Sequence, residues 1–68
     1  MNEEAFNLSV RKFLKSFGLQ AQHEIEQAVA RAQASGALSG SGPFPGKVTL
    51  EVPGLKVKAE FKGEITLG

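Results

Sequence analysis

The sequence predicts an α+β fold: a two-helix hairpin packed on one face of a three-stranded antiparallel β-meander, in the order ααβββ. Three observations lead there. Apolar residues in the first half recur at helical spacing, a stretch dense in glycine, serine and proline interrupts the chain near its middle, and the last third alternates apolar and polar residues with a period of two. Sixty-eight residues make at most one small domain, so residues 1–68 are expected to fold as one unit.

The first helix is expected over residues 3–17. Phe6, Val10, Phe13 and Phe17 fall within an arc of about 60°, with Leu14 at its edge. Glu3 and Glu4 occupy the first turn and Arg11, Lys12 and Lys15 follow toward the end, the charge order that suits the helix dipole. Gly18 is read as the left-handed residue that ends the helix. Leu8 points away from the stripe and is a candidate partner contact.

A second helix is expected over residues 22–34, where Ile25, Ala28, Val29 and Ala32 repeat at helical spacing and Gly36 supplies the stop. Its start is poorly signalled, because Ala21 stands where a Ser or Asp cap would accept a backbone hydrogen bond. The segment 35–46, SGALSGSGPFPG, is too broken for a helix or a central strand and is read as a connection with Leu38 and Phe44 as its large apolar residues.

Three one-sided strands are expected at residues 47–52, 55–61 and 64–67. A two-residue turn at Pro53-Gly54 places Val52 opposite Leu55, Leu50 opposite Val57 and Val48 opposite Ala59; Glu51 then meets Lys56 and Lys47 meets Glu60. Pro-Gly is not the favoured primed hairpin type, so a wider turn of the same parity is also compatible. A second turn at Lys62-Gly63-Glu64 would set Phe61 opposite Ile65.

These residues exclude several chemistries. With no cysteine there is neither a disulfide, a thiolate metal site nor a cysteine nucleophile. All seven acids are glutamates, and the single histidine, His23, lies away from the apolar face of its helix, so its neighbours Glu26 and Gln27 read as surface contacts. No catalytic residue, cofactor site or metal site is assigned, and the chain is expected not to be an enzyme. MNEEAF is acidic where a secretory signal is basic, and no apolar run reaches the roughly 20 residues that cross a bilayer, which points to a cytoplasmic protein.

SFGLQAQHEIEQAV superficially suggests a DNA-binding helix-turn-helix. Its first apolar residue after the turn, Ile25, arrives a position late, with Glu24 in the expected place, and Glu24 and Glu26 outnumber Arg31 on the would-be recognition helix. The formal charge of +1 supplies no general attraction to polyanions. The outward residues of the strands include no aromatic on which an RNA base could stack.

The chain resembles a family of small bacterial proteins of unknown function, about this long and seen chiefly in proteobacteria. The likeness rests on MNEEAFNLSVRKFLKSFG, QHEIEQAV, KVTLEVPGL and EFKGEI and extends over nearly the whole chain. It departs from the family at Ala21, where a serine is frequent, and in the glycine-rich SGSGPFPG. The resemblance implies a soluble bacterial protein and carries no activity or catalytic residue.

The expected function is therefore a non-enzymatic interaction or accessory module that meets another protein or its own copy, with Leu8, Arg11, Lys12, Lys15, Glu64 and Thr66 as the candidate surface. Pairing at a sheet edge would make a homodimer. The alternative is a weak nucleic-acid binder using the basic residues of helix 1.

Overall fold

The computed structural model describes residues 1–68 and contains one long helix, α1 (Glu3–Ser35), and two strands, β1 (Phe44–Val52) and β2 (Val57–Ile65), joined by a short 3-10 turn at Pro53–Leu55. The chain divides into two units, Met1–Leu38 and Ser39–Gly68. The α+β class holds, but the expected helical hairpin and three-stranded meander do not.

In the first unit, Asn2 caps the helix: its Oδ1 accepts from the Ala5 amide at 3.1 Å, satisfying one of the donors that a helix start leaves unpaired. Glu3 and Glu4 lie in the first turn, where the dipole favours negative charge. The other end is Gly36, left-handed at φ 74°, with the Ala37 and Leu38 amides both turned back to the Ala32 carbonyl. Both termini agree with the sequence.

The error lies in the middle. Gly18 does not end a helix, and residues 3–17 and 22–34 belong to one rod of 33 residues, about 50 Å long. A glycine inside a helix costs about 1 kcal/mol relative to alanine. A break would instead leave unpaired carbonyls before Gly18 and unpaired amides after it, and Ala21 has no side-chain acceptor to offer them. Gln20, Ala21 and Gln22 all propagate helix well, and Gln20 Nε2 donates to Ser16 Oγ at 3.0 Å across the glycine.

The apolar pattern also runs through Gly18 without losing phase. Phe6, Phe17 and Ala28 are eleven residues apart, as are Val10, Ala21 and Ala32, and Leu14 and Ile25. Eleven residues make three turns of about 3.67 each, so the stripe follows a nearly straight helix with a slight right-handed drift. No residue of α1 is buried.

In the second unit, β1 and β2 pair antiparallel from Phe44↔Ile65 at one end to Val52↔Val57 at the other. The turn is wider than two residues: Pro53 fixes the first 3-10 position, and Lys56 closes it in the left-handed region at φ 56°, its amide donating to the Pro53 carbonyl at 3.1 Å. Leu55 thus belongs to the turn and not to a strand, and Leu50 faces Ala59 rather than Val57. Parity is preserved, so the same residues share the apolar face.

The expected third strand, residues 64–67, is the end and continuation of β2. Lys62-Gly63-Glu64 makes no turn; Gly63 lies within β2 opposite Gly46. Val57, Ala59, Phe61 and Ile65 are all odd-numbered, so one strand accommodates them without changing face. β1 likewise begins earlier than expected, taking Phe44, Pro45 and Gly46 from the segment read as connection. Past the paired region, the Leu67 amide donates to the Ser41 carbonyl at 2.7 Å, tying the chain end to the loop before β1.

Candidate interaction surface

The helix carries two distinct faces. On one, Phe6, Val10, Phe13, Phe17, Ala21, Ile25, Ala28 and Ala32 form the continuous stripe, in which Phe13 is 53% and Phe17 42% exposed. Bulky side chains fill its N-terminal half and mostly small ones its C-terminal half. Sequence reasoning found each half but not their union, because Gly18 was taken as a stop.

On the roughly opposite face, Leu8, Arg11, Lys12 and Lys15 stand at i, i+3, i+4 and i+7, so the structure brings these four candidate residues into one contiguous exposed patch. Leu19, eleven residues beyond Leu8, extends it. Further along, Glu26 accepts from Gln22 Nε2 at 3.3 Å, the neighbour one turn before it, rather than engaging His23. The unbroken rod also removes the helix-turn-helix geometry, since no second helix crosses the first.

The hairpin is two-faced as well. Phe44/Ile65, Gly46/Gly63, Val48/Phe61, Leu50/Ala59 and Val52/Val57 share the apolar face, and Pro45/Glu64, Lys47/Lys62, Thr49/Glu60 and Glu51/Lys58 the polar one. Lys47 and Glu60 form the expected ion pair, Nζ to Oε1 at 3.9 Å, though diagonally across the ladder; Glu51 faces Lys58 and not Lys56. Both partners are half exposed, so the pair contributes roughly 0 to 1 kcal/mol. Phe44, Leu50, Val52, Ala59 and Ile65 are partly shielded, but Val48 and Phe61 are open, and no residue of the unit is buried.

Glu64 lies near the end of β2 on the polar face, opposite Pro45, and Thr66 is just past the strand. Each strand of a two-stranded sheet keeps one unpaired edge. No three His, Cys, Asp or Glu side chains gather closely enough to hold a metal ion. No helix is long and apolar enough to cross a membrane.

A long helix with an apolar stripe followed by a one-sided antiparallel hairpin defines a small α+β protein whose prominent features are uncovered apolar faces. The chain belongs to a family of unknown function (DUF6494), whose model matches residues 1–68. No curated protein and no solved structure matches it.

Proposed function

We propose that this protein is a non-enzymatic interaction module that works by burying the stripe of α1 against another polypeptide. One observation carries the reading: the chain has no buried residue at all, while Phe6, Val10, Phe13, Leu14, Phe17 and Ile25 are exposed along one helix. Isolated helices draw most of their stability in proteins from packing of an apolar face, and an isolated two-stranded hairpin is marginal in water. Contiguous exposed apolar surface of this extent marks an association site. The free edges of β1 and β2, including the segment from Glu64 to Thr66, offer a second route to self-pairing.

Size-exclusion chromatography with light scattering tests the reading on the intact chain and on Phe13→Lys. The intact chain is expected to elute as an assembly, alone or with a protein recovered from the native host, and the variant to lose it. A strict monomer at high concentration that also captures no protein sinks the proposal.

A second reading is favoured by the clustering of Arg11, Lys12 and Lys15 on one face with no acid among them. These side chains would contact phosphates of a nucleic acid weakly. Titration with labelled DNA and RNA at two salt concentrations decides, because phosphate contacts lose affinity steeply as salt rises. Absent binding at low salt ends this reading.

A further inference from the structure

We infer that β2 pairs edge to edge with β2 of a second copy, antiparallel and centred on Phe61, so that two two-stranded hairpins make one four-stranded sheet. The inference rests on the association reading and names the edge, the partner and the register.

The backbone decides which groups are free. The Leu67 amide donates to the Ser41 carbonyl, and the Ile65 carbonyl lies so close to Gly42 that a Cβ there would come within 2.8 Å of it. Both groups thus point toward the chain of β1. Inward and outward groups alternate along a strand, so the odd-numbered residues of β2 bond to β1, and Lys58, Glu60, Lys62 and Glu64 turn their N–H and C=O to the open edge. Pro45, opposite Glu64, agrees, since a residue without an N–H fits only where the ladder asks for none. The same alternation puts Pro45 on the outer edge of β1, where it removes a donor. The edge of β2 lacks no donor.

Charge decides direction and register. Along its open edge β2 reads Lys58, Glu60, Lys62, Glu64, all exposed. Antiparallel pairing about Phe61 sets Lys58 against Glu64 and Glu60 against Lys62 of the second copy, and by symmetry the reverse, so every polar level joins opposite charges. A slip of two residues brings Glu60 against Glu60 or Lys62 against Lys62. A slip of four restores the charges but leaves only Val57–Phe61 or Phe61–Ile65 paired. A parallel pair in register sets each charge beside its own kind. Within one hairpin, Lys62 faces Lys47 and Glu64 faces Pro45, and the one ion pair joins Lys47 to Glu60. The second copy supplies Lys62 and Glu64 with the opposite charges they lack.

The other face agrees. Val57 comes opposite Ile65, Ala59 opposite Gly63 and Phe61 opposite Phe61, so the apolar faces of the two hairpins join into one. A sheet of three or more strands with an apolar face also passes the size below which a hairpin is marginal.

Amide exchange followed residue by residue by NMR on the full-length chain, dilute and concentrated, tests the pairing. The amides of Lys58, Glu60, Lys62 and Glu64 are expected to slow at least about tenfold on concentration, and those of Lys47, Thr49 and Glu51 to stay fast. Lys62→Glu and Glu60→Lys each place like charges at two levels and are expected to lose about tenfold of that protection. Their equimolar mixture, in which every level is again opposite in charge, is expected to regain it. No recovery on mixing overturns the register. Protection at Lys47, Thr49 and Glu51 instead overturns the choice of edge. Association without protection at the four amides of β2 overturns the pairing and leaves the association reading standing. A monomer at every concentration overturns the pairing, and the association reading with it if no host protein is captured.

Discussion

Gly46 lies directly opposite Gly63, leaving a level without side chains in the apolar face of the hairpin between Phe44/Ile65 and Val48/Phe61. A Cβ added at either glycine meets nothing within 4 Å. Neither glycine has the positive φ that would require it. Gly63→Ala is therefore expected to raise stability by roughly 0.5 to 1 kcal/mol, the entropic penalty of glycine in a strand. Thermal unfolding followed by circular dichroism checks it, and a lowered midpoint would mean that something else occupies the slot.

Gly42 presents the contrary case. Its φ is 96°, and a Cβ there would come within 2.8 Å of the Ile65 carbonyl oxygen. Gly42→Ala is expected to lower stability by about 1 to 3 kcal/mol, because both backbone conformation and close approach oppose the side chain. The same melting experiment gives the sign.

Gly18 separates a rod from a hairpin of helices. In the rod its backbone is right-handed and the space about it is open, so Gly18→Ala is expected to stabilise the helix by about 1 kcal/mol. Were Gly18 a left-handed helix end, alanine would destabilise instead. Helicity and melting temperature of the variant distinguish the two.

Lys56 closes the hairpin turn at φ 56°, a conformation unfavourable for a side chain by about 1 to 2 kcal/mol. Lys56→Gly is expected to raise stability by up to about 1 kcal/mol, part of the relief being lost to the greater freedom of glycine in the unfolded chain. Denaturant titration measures it.

How far the sequence revealed this fold follows from what kind of signal each element carries. Glu3 and Glu4 in the first turn and Gly36 after the last stripe residue are local signals, and both helix ends were legible from them, although the Asn2 cap was not singled out. Gly18 was misread because glycine is ambiguous: it ends a helix only when the residues beyond cannot continue it, and here Ala21 and Ile25 keep the phase of Phe17. The missing cap at Ala21 was the clue that no second helix begins there. Gly63 misled in the same way, although the odd-numbered apolar series through it required no turn. Partition into faces survived both errors, because the face depends on parity and helical phase and not on where an element stops. Among the candidate site residues, the grouping of Leu8, Arg11, Lys12 and Lys15 could be read from their spacing. The unbroken stripe could not be seen while the helix was cut in two.

Sedimentation equilibrium of the full chain over a wide concentration range, alone and with protein captured from the native host, tests most directly whether α1 seeks another polypeptide. A mass above that of the 7.2 kDa chain, falling toward the single value only on dilution, is the result expected here. A chain that stays at 7.2 kDa at every concentration and captures no protein, with its helix intact, would contradict it.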